Sequence, residues 1–184
     1  PSWSNSKKNL FDDYAEIIID KLIEKKFQTI LRTHPETIKR SNKYLEIIKK
    51  KYLSNNNFEL NTDLRSLKCF DESSVLITDN GGVALEYLIV QRKPVLYIDY
   101  LEKIHNEFLE KIRIETFEDR VKKDIGTTIS LEDLDKIDLF LEKTKDNFNK
   151  NINKLDELLF EFGVVVKNQS QNKKEVILEI LSNS

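Results

Sequence analysis

Residues 75–88 read VLITDNGGVALEYL. An apolar run ends in Thr78 and Asp79, Asn80, Gly81 and Gly82 follow, and a helix-like pattern begins at once. The chain has four glycines, and two of them stand together at this junction. A helix N-terminus leaves up to four backbone N–H groups without partners and carries partial positive charge. Glycines there let a bulky anion approach the main chain, so strand–Gly–Gly–helix reads as a phosphate cradle, with Asn80 as the expected N-cap. The same pair also suits a plain tight turn. The junction is neither GxGxxG nor a Walker loop, because no GK[ST] follows, and ATPase, kinase and NAD dehydrogenase readings lose support.

Glu86 lies four residues beyond Gly82, one turn up the same helix face. A carboxylate there could accept hydrogen bonds from two ribose hydroxyls. It could equally stabilise the helix dipole by roughly a few tenths of a kcal/mol. His34 follows an apolar run, beside Arg32 and held by Pro35. A histidine so placed can donate to a phosphate or act as a base near neutral pH, or simply serve a loop. His105, in YLEKIHNEF, reads as an exposed helix residue. Two isolated histidines without HxxxH spacing give no metal-ligand set.

Residues 7–25 carry Leu10, Tyr14, Ile17 and Ile18 at helical spacing. FQTILRT, residues 27–33, is a short β-rich run. Residues 37–52 read as one helix with Tyr44, Leu45, Ile48 and Tyr52 on one face. Residues 58–60 suit a brief strand and 63–70 a short helix. Residues 74–79 and 94–99 are apolar, β-branched runs of the kind that form strands buried on both faces, separated by a helix over 81–91. A mixed helical stretch covers 101–123, and 126–130 is a short strand. Ser130 then reads as an N-cap, with Asp133 as a capping-box partner, ahead of helix to residue 161. Residues 164–168 suit a strand or an extended arm, and 173–181 a last helix.

Strands alternating with helices imply βαβ units, an α/β fold and a parallel sheet. Such sheets bind ligands outside the carboxyl ends of their strands. The polar residues collect there: Thr33–His34, Asp79–Gly82 and Asp99–Tyr100. PSWSN fits as the loop after a further strand whose sequence is absent. The start at Pro1, in a chain without Met, fits a piece of a longer protein.

The 184 residues suit one domain, 1–184, with residues 150–184 as a helical extension packing on it. Thirty basic and 32 acidic residues are interspersed, for a net charge of −2. That balance argues against a nucleic-acid binder, which needs a basic face. Lys49–Lys51 is a solvated helix face. A single cysteine, Cys69, permits neither an internal disulfide nor a CxxC metal site. No apolar run approaches the roughly 18 residues of a membrane span and no signal peptide is visible, so a cytosolic setting is the expectation.

Four segments in order carry a resemblance: PSWSNS, TILRTHPE, VLITDNGGVALEYLIVQRKPVLYIDY and IETFEDRVKKDIGTTISLEDL. Over roughly residues 1–143 the chain resembles the C-terminal half of CDP-glycerol glycerophosphotransferases, the teichoic-acid and capsule polymerases and primases. The resemblance implies a Rossmann-like three-layer αβα sandwich, the nucleotide-binding half of a GT-B enzyme. It implies that His34 contacts the pyrophosphate or assists departure of CMP, and that Asn80, Gly81 and Gly82 cradle phosphate. Arg32, Thr78 and Asp79 flank those positions. Glu86 would reach the ribose, and Ser2, Trp3 and Ser4 would face the interdomain cleft. No metal or other cofactor is required. The donor would be CDP-glycerol or a UDP-sugar, the acceptor a polymer or lipid-linked chain brought by an N-terminal domain. The full-length enzyme would then associate peripherally with the inner face of the membrane.

Two departures from the family pattern stand out. Thr33 replaces the proline of RPHP, and Gly81–Gly82 replace paired serines. TDNGG is closer to the TDSGG box of UDP-N-acetylglucosamine 2-epimerases, which share the GT-B fold. A UDP-sugar glycosyltransferase or epimerase-like domain is therefore the second reading, and a non-catalytic α/β interaction module the third.

Overall fold

The computed structural model describes residues 9–63, 67–100 and 115–163. Helix α1 (Leu10–Glu24) opens at Asn9, whose side chain accepts from the Asp12 N–H at 3.0 Å. It presents two adjacent apolar stripes. Phe11, Ala15 and Ile19 pack with Leu31, Leu45 and Ile48, while Leu10, Ile18 and Leu22 pack with Leu96, Ile98 and Ile129. Strand β1 (Thr29–Arg32) follows after a short turn.

The single helix expected over 37–52 is two: α2 (Pro35–Arg40) and α3 (Asn42–Tyr52). Ser41 sits between them with non-helical torsions, φ −111° and ψ 28°. Its hydroxyl donates to the Asp12 carboxylate at 3.0 Å, a side-chain bond that competes with helix continuation. Strand β2 (Phe58–Asn61) then pairs in parallel with β1, and α4 (Lys68–Glu72) leads to β3 (Leu76–Thr78).

Helix α5 (Gly82–Gln91) leads into β4 (Val95–Asp99); α6 (Phe117–Asp124) leads into β5 (Thr127–Ser130). Thr116 and Asp119 close a reciprocal capping box on α6. After β5 the chain forms a 3-10 turn (Leu131–Lys136) instead of entering an α-helix directly, and Ser130 donates to the Asp133 carboxylate at 3.1 Å instead of capping with its side chain. The long helix α7 (Ile137–Glu161) completes the described chain.

All strand pairs are parallel, and the layering is Rossmann-like α/β. α1, α3 and the start of α7 cover one face; α4, α5, α6 and the later turns of α7 cover the other. The expected parallel sheet is in two parts, β1–β2 and β3–β4–β5. β4 is buried along Val95–Ile98, as expected. β3 is not: Leu76 and Ile77 are only partly buried, because among the described residues the side of β3 away from β4 has no strand beside it.

Among the described residues no helix is long and apolar enough to cross a membrane. Ser2, Trp3, Ser4 and His105, with the elements expected over 164–168 and 173–181, lie outside the described residues.

Candidate functional site

Parallel strands put their carboxyl ends on one edge of the molecule, and α1 locates it. Tyr100, directly after β4, hydrogen-bonds Asp13 and packs edge-on against Tyr14 with ring centroids 5.8 Å apart. The first turns of α1 therefore lie at the carboxyl end of β4. Its last turn leads into β1, so β1 and β4 point the same way.

At this edge the α5 junction is open. The N-cap is Gly81, not Asn80 as the sequence pattern suggests, and no side chain caps the helix. Gly81 has φ 165° and ψ 158°, an extended backbone. Gly82 is exposed, and a Cβ added there would meet no atom within 4 Å. The packing at Gly82 does not demand glycine, and the extended backbone of Gly81 is open to other residues. Gly82 and Glu86, four residues apart, are both exposed on one stripe of α5.

Asn80 is displaced from the cap by another role. Its side-chain oxygen accepts from the Lys122 ammonium of α6 at 3.0 Å. The same ammonium stands 5.6 Å from the centroid of the Tyr97 ring. A partly buried cation is thereby held beside the positive end of α5. Sequence reasoning missed Lys122, since VKKD is indistinguishable from any charged helix face. Beneath it Tyr97 is fully buried, and its hydroxyl has no hydrogen-bond partner. Burial, with Glu118 nearby, pushes the phenol well above its usual range. One Glu118 carboxylate oxygen is likewise buried without a partner.

Thr78 and Asp79 are buried at 1% and 3% exposure, the threonine hydroxyl 3.5 Å from the Asp79 carboxylate. Across from them, Thr33 is buried after β1 and its hydroxyl has no partner. The His34 carbonyl accepts from Thr37 and Ile38 at 2.9 and 3.3 Å and starts α2, with Pro35 at the first helical position, where a missing N–H costs nothing. His34 itself is half-buried. The Arg32 guanidinium stacks over Phe70, 4.5 Å from the ring centroid. Of the six buried polar residues described, Thr33, Thr37, Thr78 and Asp79 lie at or just beyond the carboxyl ends of β1 and β3. Buried polar groups cost free energy unless matched, so their concentration at two facing strand ends marks the polar centre of the molecule.

The arrangement can hold an anion on main-chain N–H groups with one lysine beside it. Among the described residues no cluster of three His, Cys, Asp or Glu side chains could hold a metal. Comparisons of the chain with protein-family models, curated proteins and solved structures return no match.

Proposed function

We propose that the chain is the nucleotide-donor-binding half of a GT-B transferase of the kind it resembles, the CDP-glycerol glycerophosphotransferases of teichoic-acid and capsule synthesis. The observation that carries the reading is the α5 N-terminus, which no side chain caps and where Gly82 is exposed with open space around its Cα. A diphosphate seated there meets the first-turn N–H groups and the helix dipole, with the Lys122 charge alongside. Glu86, one turn up, is placed for the ribose.

In the proposed reaction an acceptor hydroxyl attacks the donor's β-phosphorus. The new O–P bond forms as the anhydride bond breaks, and the nucleoside monophosphate leaves with the bonding electron pair. The acceptor's proton goes to a base on the partner domain. This chain contributes position and charge stabilisation on the departing phosphate, with His34 in its protonated form as the second donor. The glycines in place of paired serines favour a UDP-sugar as the alternative donor.

Calorimetry and amide NMR with CDP-glycerol, CMP, UDP-N-acetylglucosamine and UDP test both arms. Binding that perturbs the Gly81–Val83 amides is expected, with cytidine ligands preferred. A uridine preference selects the second donor. No heat and no thermal shift with any of the four at millimolar concentration removes the reading, since a site at ~100-fold excess over Kd adds about 2.7 kcal/mol. By itself the chain is expected to bind without turnover. Polymer formation by residues 1–184 alone would place the acceptor base here instead.

A further inference from the structure

β1 and β3 each have a single strand neighbour among the described residues. Both line one cavity of about 380 Å³. Its walls are mostly apolar: Ala15, Ile18 and Leu22 of α1 on one face, Phe70 and Val83 on the other, with the two strands at the sides. The backbone is turned toward it. The N–H groups of Thr29 and Thr33 donate to Asn57 and Asn61 on the β2 side. In a parallel strand alternate residues face opposite edges, so Ile30 directs its N–H and C=O into the cavity. The Leu76 N–H donates to Pro94 on the β4 side, so Ile77 likewise faces the cavity. Two parallel strand edges thus look at each other across an apolar gap inside the sheet layer. α1 bridges the gap above, packing one stripe on each half.

We propose that this gap is the seat of one further β-strand. It is about five residues long, apolar on both faces, and runs parallel to β1 and β3. It is supplied by polypeptide joined ahead of Pro1. The direction follows from α1, whose N-terminus lies at the carboxyl edge beside Tyr100. A segment feeding α1 leaves the sheet at that edge, so a strand before it runs with its neighbours. Strand, α1 and β1 then form a βαβ unit, and a parallel strand in the same sheet needs such a crossover. The completed order is β2, β1, inserted strand, β3, β4, β5, which is the doubly wound order. An apolar small molecule would fill the volume but leave the Ile30 and Ile77 backbone groups unmatched, at a cost of about 1–3 kcal/mol for each buried group. Ligands of such sheets also sit beyond the strand ends and not within the layer.

The test compares residues 1–184 with the same chain carrying Val-Ile-Val-Ile-Val directly before Pro1, and with an Asp-Gly-Asp-Gly-Asp control. Amide exchange at Ile30 and Ile77 is expected to slow at least 100-fold with the apolar extension alone. The melting temperature should rise and the protein remain monomeric. Ile77→Pro in the extended chain should abolish the gain, because that N–H faces the inserted strand and not β4. Ile30→Pro provides the same reading from the β1 side should the first variant fail to fold. Three results overturn the proposal. The first is exchange unchanged by the extension. The second is protection of the same amides only in a dimer of unextended chains, which assigns the gap to a second copy. The third is protection already in residues 1–184 that truncation after Gly163 releases, which assigns it to residues 164–184.

Discussion

β3 and β4 are written in the same alphabet. VLIT and PVLYID are both apolar and β-branched, and each precedes a polar strand end. β4 is buried from Val95 to Ile98, whereas Leu76 and Ile77 of β3 are only partly buried. The difference is lateral. β4 lies between β3 and β5, and β3 has β4 on one side and the cavity on the other. An apolar run shows that a strand is built for an interior position; whether it occupies one depends on its neighbours. β3 carries the sequence of an inner strand and the surroundings of an edge strand.

The sharpest test of this contrast is truncation on each side of it. Leu96→Ala in β4 removes a fully buried side chain from among Ile98, Ile129 and Ile137, and should cost about 2–5 kcal/mol in denaturant unfolding. Ile77→Ala in β3 should cost less, about 1–2 kcal/mol in residues 1–184, because that side chain is only partly buried. With the apolar extension in place the β3 value should climb toward the β4 value. Equal losses in the unextended chain would show that the gap is closed in solution.

Glycines divide the same way. At Gly126, before β5, an added Cβ would lie 2.6 Å from the Tyr97 ring and 2.8 Å from the Lys122 carbonyl. Gly126→Ala should therefore destabilise by about 1–3 kcal/mol through overpacking, with any effect on nucleotide binding following from that loss. Gly82→Ala meets open space. It should leave stability unchanged or raise it by a few tenths of a kcal/mol, and weaken nucleotide binding about tenfold, near 1.4 kcal/mol. Lys122→Gln should also weaken binding, most clearly at low salt. A Gly82 variant with undiminished affinity would detach the α5 terminus from the site.

Hydrophobic period and turn residues made the five strands and most helices legible, including α5 and its glycine junction. Three features escaped for physical reasons. The break at Ser41 depends on Asp12, 29 residues away, and no local pattern carries such a partner. The incomplete burial of β3 depends on a neighbour, which its own residues do not specify. Lys122 gains its position only when α6 packs beside the end of β3. Cap identity failed more narrowly: Asn80 is the stronger capping residue, but its side chain is taken by Lys122, and Gly81 fills the cap position without a side chain.

The smallest effects concern α1, which is pinned to both halves by charge. Toward the β3–β4–β5 half, Lys21 meets Asp135 at 2.7 Å and Lys25 meets Asp138 at 3.0 Å. Toward the β1–β2 half, Lys51 meets Glu16 and Asp20 at 2.6 and 2.9 Å, and the Tyr52 hydroxyl donates to Asp20 at 2.6 Å. Hydrogen bonds and charge from Lys21 and Lys25 hold Asp135 and Asp138 below their usual carboxylate range. At Asp20 burial pushes the other way, but the bonds from Tyr52 and Lys51 prevail and its pKa is also lowered. A carboxylate with a lowered folded pKa contributes stability above its unfolded value, near 3.9, and loses that contribution as pH falls through the folded value. Stability should therefore be flat near neutrality and decline below about pH 4. Asp20→Asn should remove up to about 1 kcal/mol at pH 7 and low salt, and Asp135→Asn less, because the Lys21 pair is solvent-exposed. Thermal melts from pH 7 to pH 3 read both. If α1 is the main join between the two halves in residues 1–184, Asp20→Asn should speed amide exchange in β1 and β2 while leaving β4 unchanged. Equal acceleration in β4 would mean that the two half-sheets already open as one cooperative unit.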